Sequence, residues 1–444
     1  MKNILFSWII VLGIFFFSNA QIPEKQLTNL KNYIDKDYTY LEALYYYLHQ
    51  NPELSFHEKQ TSIRMAEELR KLGFEVTENF GGYGVVGIFK NGKGKTILVR
   101  TDTDALPVLE QTNLPYASTV KTKDDNGTEV PVMHACGHDV HMASWIGTAR
   151  ALIEMKNQWK GTLMFIAQPA EEKSGGAKAM LAQGLFQKFG KPDYALALHA
   201  NASLPAGQIG YSAGNALANV DMVDITVFGV GGHGAYPHTT IDPIVLAARM
   251  ILDLQTIISR EINPLEPCVL TVGSIHGGTK GNIIPSEVKM ELTLRSYSDE
   301  VREAMLQKIK RIIDGLAISA GLPNDKMPKM VIRDEYTPFV FNDPQLSVRV
   351  SNFLMNVIGK NNVKSLKPVM GGEDFGRFGR TEEKVPIMIY WLGTVNPKTF
   401  EESLQQNKGL PSLHSPFFAP LPEPTLKTGV LTMSSAVLDL LINP

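Results

Sequence analysis

Three short apolar runs without polar alternation place the strongest constraint on the fold of this chain. They lie in the segments TILVRTDTDALP, GTLMFIAQPAEE and DYALALHA, and amphipathic stretches at 142–155 and 177–186 lie between or near them. A strand that is apolar on both sides must be covered on both faces, and an intervening helix lets successive strands run parallel. The chain is therefore predicted to have an α/β fold with a mainly parallel sheet covered by helices.

Helices are predicted at both ends of this sheet-forming region. Apolar residues recur at helical spacing from Leu41 to Leu72, with a break at Pro52 and an end at Gly73. The segment VPIMIYWLGT supplies another buried strand, and a closing helix is predicted over 425–442.

The pattern changes between roughly Val220 and Ile332. The segments VDMVDITVFGV and SEVKMELTLRSYS alternate apolar and polar residues, and a helical stretch follows each of them. This alternation indicates antiparallel strands with one face packed against helices. Because a chain of 444 residues usually divides its core, we predict a smaller α+β domain at 218–332. It would be inserted into a larger domain made of 21–217 and 333–444.

The N-terminus has the pattern of a secretory signal. Lys2 precedes an almost wholly apolar run over 4–17, and small residues follow at 18–20. This apolar run is shorter than a membrane-spanning helix, which needs about 20 residues. We predict a signal peptide at 1–20, an exported protein that is periplasmic or secreted, and no stable membrane span after cleavage. An uncleaved N-terminal anchor is the alternative. The net charge of -2 gives no electrostatic basis for a nucleic-acid partner.

The stretch MHACGHDVHMA, residues 133–143, has the composition of a metal site. It contains three of the ten histidines and one of the two cysteines. His134, Cys136 and His138 are two positions apart, so an extended backbone would direct all three to one side. A thiolate with imidazoles suits zinc, and manganese, cobalt or nickel less decisively. Local hydrogen bonding at the start of a helix near Asp139 is the alternative.

Other ligand-type residues follow other predicted strands. Glu171 and Glu172 end QPAEE, where two adjacent carboxylates repel unless a cation or a proton relieves them. His199 follows DYALAL, and His414 lies in LHSPFF. A lone histidine is more often structural than a ligand, but together these residues suffice for two metals that share a bridge. The predicted ligands are Cys136, His138, Glu172, His199 and His414, with Glu171 left free.

Further residues are candidates for supporting or substrate-binding roles. Asp102 and Asp104 leave the strand in RTDTDALP; Asp104 is predicted to orient a metal-bound imidazole, whereas Asp102 could equally cap a turn. His233 in GVGGHGAYPH could donate a hydrogen bond to an oxyanion, or be incidental to a glycine-rich turn. Asn282 and Arg295 supply an amide and a guanidinium, and the latter could pair with a substrate carboxylate.

Taken in order, these motifs resemble the metal-dependent aminoacylase and carboxypeptidase-type amidohydrolases, in the branch of hippurate hydrolase and the auxin-conjugate hydrolases. The likeness covers essentially the whole chain after the signal. It includes LHQNPELSFHEKQT, RTDTDALP, MHACGHDVHMA, QPAEE, GGHGAYPH, GNIIPSE, GGEDFGRF and LHSPFF. The resemblance implies a di-metal catalytic domain interrupted by a lid domain that mediates dimerisation, and hence a homodimer.

The resemblance also implies roles for the candidate residues. The five predicted ligands match the family ligands for two divalent metal ions, zinc or manganese first, with cobalt or nickel as alternatives. Glu171 matches the general base, and His233 matches a lid histidine that the neighbouring subunit often contributes. Asn282 and Arg295 match positions that hold the substrate carboxylate.

The resemblance treats four acids near the site differently. Asp104 matches the acid that follows the first sheet strand. Asp102 stands where other branches have a metal-binding histidine, so it is left outside the ligand set. Glu373 and Asp374 lie in a matching segment and receive no role.

The implied reaction is hydrolysis of the amide bond of an N-acyl amino acid, with a short peptide as the other substrate class. Three alternatives remain: a metallo-exopeptidase, a non-catalytic peptide- or metal-binding protein, and a protein that uses metal only to fold. The pair Glu171 and Glu172 favours catalysis over binding. Five ligand-type residues also fit poorly with a closed structural site of four.

Overall fold

A computed structural model describes residues 23–334 and 336–443 of the chain. The signal peptide predicted at 1–20 lies outside the described residues. The N-terminal part contains both helices and strands. Its elements are α1 Glu24–Gln50, α2 Lys59–Lys71, β1 Glu75–Thr77, β2 Val85–Asn91, β3 Thr96–Asp102, β4 Lys121–Lys123, β5 Glu129–Pro131, α3 His138–Glu154, β6 Gly161–Gln168, α4 Gly176–Ala182, α5 Leu185–Phe189, β7 Tyr194–Pro205, β8 Ile209–Tyr211 and β9 Gly214–Leu217.

The middle part has more strands than α-helices, and the C-terminal part has more α-helices than strands. The middle elements are β10 Asp221–Phe228, β11 Gly232–His233, α6 Pro243–Thr256, β12 Cys268–Gly277, β13 Ile283–Ile284, β14 Glu287–Ser296, α7 Asp299–Ser319 and β15 Lys329–Ile332. The C-terminal elements are β16 Val340–Asn342, α8 Pro344–Ile358, β17 Val363–Ser365, α9 Gly376–Gly379, β18 Ile387–Val395, α10 Pro397–Gln406 and α11 Pro422–Ile442.

The large sheet has eight strands in the order β1-β2-β6-β3-β7-β18-β8-β17. Its four central strands, β6, β3, β7 and β18, run parallel. Ile97 and Val99 of β3 pack into a core with α1, α3 and α11, whereas Leu98 between them packs into a second core with α4 and α9. The prediction of a mainly parallel sheet covered by helices on both faces is confirmed.

The carboxyl ends of the parallel strands meet at one edge of this sheet. Asp102 ends β3 and Gln168 ends β6, so the acids that follow these strands leave from neighbouring positions. His199 was predicted to follow its strand, but it lies within β7. The strand is longer than predicted because β7 stays paired with β18 as far as Pro205.

The middle part forms a second sheet with its own core. Its four strands are antiparallel, in the order β12-β14-β10-β15. Buried and half-buried residues alternate along β10, and α6 and α7 cover the buried face with residues such as Met250 and Ile309. We call this part the lid. Its α+β arrangement is the predicted one, and the domain boundaries at 218 and 332 stay a prediction.

Helix α11 is a core element of the large domain. Among the described helices it is the one long and apolar enough to cross a membrane, but 78% of its apolar window is buried within the fold. Leu426, Val430 and Met433 pack in the same core as α1 and α3. The apolar character of α11 is therefore explained by packing within the protein.

Candidate metal centre

The segment before α3 turns sharply, so the predicted extended backbone at 134–138 is wrong. Ala135 and Cys136 form a turn, Gly137 has φ 83°, and His138 is already the first residue of α3. A Cβ at Gly137 would lie 2.8 Å from the Cβ of Ala200 in β7. Glycine is needed here both for the left-handed backbone and for close approach to the sheet. The turn directs Cys136 and His138 to the edge of the sheet.

The side chains of the five predicted ligands converge at this edge. The Sγ of Cys136 lies 3.6 Å from Nε2 of His199 and 3.2 Å from Nε2 of His414. The Oε1 of Glu172 lies 3.4 Å from Nε2 of His414 and 3.9 Å from Nε2 of His138. Two groups of three close donor atoms result, and they share the thiol. The groups are Cys136, His138 and His199, and Cys136, Glu172 and His414.

The hydrogen bonds of His138 and His199 leave the Nε2 atom of each ring available for a metal. The Nδ1 of His138 donates to the carbonyl oxygen of Asp104 at 2.8 Å, and the Nδ1 of His199 donates to the carbonyl oxygen of Ala200 at 2.8 Å. Each ring can therefore present an unprotonated Nε2. The Nε2 of His138 and the Oε1 of Glu172 are buried, and neither has a hydrogen-bond partner among the described residues. Buried polar atoms are nearly always paired, so these residues fit bound cations.

The charge balance of the cluster also favours cations. Although burial lowers the pKa of His138, the charges of Asp102, Asp104 and Glu172 outweigh it and raise that pKa to about 10. Burial and the nearby carboxylates raise the pKa of the Cys136 thiol well above its usual range. Both shifts arise because negative charge accumulates in a buried space. A divalent cation would neutralise that charge and favour the thiolate.

His414 lies on the solvent side of the cluster. It belongs to the loop between α10 and α11, with φ 65°, and its backbone amide donates to the carbonyl oxygen of Ala135 at 2.8 Å. Its side chain is 54% exposed, whereas that of His138 is fully buried. His199 of β7 and His138 of α3 would therefore bind the cations from the buried side of the cluster. His414 would bind from the solvent side.

Glu171 lies beside the cluster, and its carboxylate forms no hydrogen bond with the residues that the structure describes. Its Oε2 is 4.0 Å from Nε2 of His138. Burial, together with the charges of Glu373 and Glu172, raises the pKa of Glu171 well above its usual range. A carboxyl group with a raised pKa can accept a proton from water and release it again, as a general base and acid must.

Asp104 supports the residues around it and does not face the open site. It is fully buried, and its carboxylate accepts the backbone amides of Glu171 at 3.1 Å and Glu172 at 3.0 Å. The hydroxyl of Ser55 donates to the same carboxylate at 2.6 Å. Its Oδ1 also lies 3.4 Å from Nδ1 of His138. Asp104 thus orients one imidazole and both glutamates.

His141 is excluded as a ligand by its own hydrogen bonds. Its Nδ1 donates to Oδ1 of Asp102 at 2.6 Å, and its Nε2 accepts the backbone amide of Ala200 at 2.7 Å. Burial lowers the pKa of His141 to about 3, so the ring is neutral. Asp102 therefore bonds other side chains instead of capping a turn.

A buried arginine network below the site was missed by the sequence reasoning. The guanidinium of Arg100 is fully buried and donates to Asp102 at 2.7 Å, Gln168 at 3.0 Å, Glu373 at 2.8 Å and Asp374 at 3.2 Å. The sequence did indicate such a network, because Arg100 lies within the buried strand ILVRTD and a buried charge requires partners. Glu373 and Asp374 are those partners.

Within one chain, the contacts that the structure describes for the lid residues His233 and Asn282 are with other lid residues. His233 and Asn282 are exposed and adjacent, since β11 pairs with β13 and the amide of Gly234 donates to the carbonyl oxygen of Asn282 at 2.9 Å. The other contacts of His233 are with Ala235 and Tyr236. The structure thus brings these two lid residues together, but it shows no contact between them and the cluster.

Arg295 of β14 connects the lid with the large domain. Its Nη1 donates to the carbonyl oxygen of Met370 at 3.3 Å, in the loop that leads to Glu373. Burial lowers the pKa of this guanidinium, and no acidic side chain in the described part of the chain forms an ion pair with it. A half-buried cation without a partner is able to bind an anionic group of a ligand.

Comparison with known proteins identifies the family. The model of peptidase family M20/M25/M40 matches residues 98–436. The chain is 38% identical over 355 residues to thermostable carboxypeptidase 2 of Saccharolobus solfataricus, covering 79% of this chain and 85% of the relative. It is 37% identical over 342 residues to hippurate hydrolase of Campylobacter jejuni, covering 76% of this chain and 84% of the relative.

A solved structure agrees with this assignment. The YXEP protein of Bacillus subtilis, a dinuclear metal binding peptidase from the M20 family, matches with a TM-score of 0.72 and 29% identity over 92% of this chain and 99% of that chain. The resemblance inferred from the motifs is thereby confirmed. The chain belongs to peptidase family M20/M25/M40, whose members are hydrolases of amide bonds.

Proposed function

We propose that this protein hydrolyses the amide bond of N-acyl amino acids and releases a carboxylic acid and a free amino acid. The observation that carries the proposal is the free carboxylate of Glu171 beside two donor groups that share one thiol. When bound, two divalent cations supply an activated water at neutral pH and polarise the scissile carbonyl. The ligands would be Cys136, His138, Glu172, His199 and His414.

The donor set limits the metals that the site would accept. One thiolate, three imidazoles and one carboxylate suit borderline ions. We propose zinc or manganese, with cobalt or nickel as substitutes.

Glu171 would carry the proton during the reaction. It takes a proton from the attacking water and gives it to the departing amine. Its raised pKa supports this role, because the carboxyl group can hold the proton between the two steps. Asp104 keeps the carboxylate in place through the backbone amides of Glu171 and Glu172.

Arg295 and Asn282 would hold the carboxylate of the amino-acid product. The unpaired guanidinium of Arg295 supports this role, since an incoming carboxylate would provide its missing partner. His233 would donate a hydrogen bond to the tetrahedral oxyanion, a contribution often worth about 3 kcal/mol. The substrate would thus be held between the lid and the large domain.

We also propose a homodimer, in which His233 would act at the partner's site. This is supported by the exposed position of His233 and by apolar residues on the lid surface, including Val245 at 57% and Leu252 at 71% exposed. Export to the periplasm or the medium is proposed from the signal-like segment at 1–20 alone.

A metallo-exopeptidase is the second candidate function. The 38% identity to a carboxypeptidase favours it, and the same Arg295 could hold the C-terminal carboxylate of a peptide. The two functions differ in the group on the acyl side of the cleaved bond.

A substrate panel tests the proposal and separates the two functions. The metal-loaded protein is assayed with N-acetyl and N-benzoyl amino acids, with dipeptides, and with N-acyl amino-acid amides that lack the free carboxylate. We expect the N-acyl amino acids to be cleaved fastest and the amides at least about tenfold more slowly, because Arg295 loses its anionic partner. Faster cleavage of dipeptides would favour the exopeptidase, and no cleavage of any amide would refute both.

A further inference from the structure

We infer that Glu58 is a positioning residue for the turn that carries Glu171 and Glu172. Glu58 belongs to the motif LHQNPELSFHEKQT, to which the proposed mechanism assigns no role. The inference rests on the roles proposed for the two glutamates of the turn. It concerns what holds them in place.

The hydrogen bonds of Glu58 join two strained positions. Its side chain is fully buried, and its Oε1 accepts the backbone amide of Phe56 at 2.9 Å and that of Ala170 at 2.8 Å. Phe56 has φ 63° and Ala170 has φ 49°. Non-glycine residues rarely adopt this left-handed conformation, and they keep it only where the surroundings enforce it. One carboxyl oxygen therefore stabilises both turns.

Glu58 and Asp104 together accept three consecutive backbone amides in the turn that carries Glu171 and Glu172, which we call the active-site turn. Glu58 accepts the amide of Ala170, and Asp104 accepts those of Glu171 and Glu172. Successive amides that point to one side form a concave site for an anionic group, and here two buried carboxyl groups fill it. The backbone direction at Ala170 then fixes where the carboxylates of Glu171 and Glu172 point.

The loop that contains Glu58 also contacts the turn from the exposed side. A Cβ at Gly175 would lie 2.7 Å from the ring of Phe56, so this ring packs directly over Gly175. Helix α2 begins at Lys59, immediately after Glu58. Glu58 precedes the helix, but its backbone carbonyl accepts the amide of Ser62 at 2.8 Å, so the acceptor is tied to the first turn of a regular element.

The two oxygens of Glu58 suggest a conservative rescue. Its Oε2 is buried without a hydrogen-bond partner, whereas Oε1 makes both amide contacts. Glutamine keeps an acceptor oxygen at the position of Oε1 and changes the other atom. Methionine has a similar size but provides no comparable acceptor.

The test compares Glu58→Met with Glu58→Gln at saturating zinc. We expect kcat to fall about 10- to 100-fold in the methionine variant with little change in KM, because a displaced base is costly even when substrate still binds. Glu58→Gln should keep kcat near the wild-type value. Hydrogen exchange of the peptide that contains residues 170–172 should be faster in the methionine variant only.

The matched control is Glu53→Met in the same loop. The carboxylate of Glu53 accepts the amides of Gln60 and Thr61 at the start of α2 and has no such bond to the active-site turn. We expect this variant to keep kcat while losing some stability. If Glu58→Met does not fold, Glu58→Asp replaces it, because aspartate retracts the acceptor by one methylene.

Three results would overturn the inference: a wild-type kcat in Glu58→Met, an equal loss of kcat in Glu58→Gln, or unchanged exchange at 170–172. Equal losses would mean that the carboxyl group acts chemically and not as a backbone acceptor. The exchange measurement requires no turnover. It therefore tests the positioning role even if the wild-type protein cleaves no amide and the proposed function fails.

Discussion

At the scale of single residues, the candidate site depends on buried charges that neutralise one another. Among the described residues, Arg100 is the one arginine or lysine that forms ion pairs with Asp102, Glu373 and Asp374. Removing one partner of such a group leaves uncompensated charge in a low-dielectric interior. Loss of Arg100 would therefore lower the free energy of unfolding and also change the position of Asp102.

Replacing Arg100 by methionine should destabilise the protein strongly. We expect the free energy of unfolding to fall by about 3–5 kcal/mol, because three buried carboxylates lose their counter-charge. Urea denaturation of both proteins measures the difference. Arg70→Met serves as the control, since Arg70 pairs with Glu78 on the surface and should cost less than about 1 kcal/mol. Equal losses in the two variants would contradict the importance of the network.

Glu171→Gln should separate metal binding from turnover. We expect two cations per chain, as in the wild type, with kcat reduced by about 10²- to 10⁴-fold because the proton carrier is lost. Glu172→Gln is the comparison variant and should lose metal, since Glu172 would be a ligand. Elemental analysis and an N-acyl amino acid assay measure both effects. Wild-type turnover in Glu171→Gln would rule out its role as the base.

Residues after the apolar strands could be predicted from the sequence, whereas long-range partners could not. Glu171 follows the end of β6, so the sheet rule placed it at the carboxyl edge, whereas His199 lies within β7 because that strand is longer than predicted. Glu373, however, is 273 positions from Arg100, and no local spacing indicates such a pair. Only the charge within a buried strand signalled that a partner must exist.

At the scale of elements, a buried ionic contact joins α1, the loop after β3 and the start of α3. The Nδ1 of His49 lies 2.6 Å from Oδ2 of Asp139, and its Nε2 lies 3.1 Å from Oε1 of Glu110. Burial lowers the pKa of His49, but the hydrogen bonds and charges of both acids raise it to about 9. The protonated ring of His49 therefore links α1 to the loop after β3 and to the start of α3.

The stability of the protein should depend on pH through His49. A histidine whose pKa is raised on folding stabilises the fold below its unfolded pKa, and this contribution is lost as the pH rises through the folded value. For His49 the window runs from 6.5 to about 9. The free energy of unfolding should fall by roughly 2–4 kcal/mol across it.

Urea denaturation at several pH values, with His49→Gln as the comparison, measures this dependence. The decrease between pH 6.5 and about 9 should be much smaller in the variant, because glutamine does not titrate. Parallel curves for the two proteins would show that His49 does not carry the effect.

The types of element could be predicted because the apolar periodicities are strong. The runs without alternation became parallel strands, and the alternating segments became the antiparallel lid sheet. The backbone at 134–138 could not be predicted from alternation, because the left-handed Gly137 replaces the extended chain with a turn. The end of β7 depended on pairing with β18, which lies far along the chain.

At the scale of the whole molecule, the lid carries the proposed substrate residues, whereas the ligand cluster belongs to the large domain. Arg295 reaches the large domain, whereas the contacts of His233 are within the lid. In a symmetric dimer each lid could present His233 to the other subunit. The complete site would then contain residues of two chains.

Mixing two inactive variants tests this arrangement. If His233 acts at the partner's site, a mixture of His233→Ala and Glu171→Gln subunits should recover about a quarter of the wild-type activity through mixed dimers. In these dimers one site keeps both residues and the other lacks both. Exchange of subunits is checked by mass, and each variant alone is the control. Absence of any recovery in confirmed mixed dimers would show that His233 does not act across subunits.

The central claim is that five side chains hold two divalent cations around a shared thiol. The most direct test is elemental analysis of the purified protein after loading and removal of free metal, alongside Cys136→Ala. We predict two cations per chain in the wild type and a marked loss in Cys136→Ala, because the substitution removes the donor atom that both groups of ligands would share. One cation or none in the wild type, or two retained in Cys136→Ala, would contradict the claim.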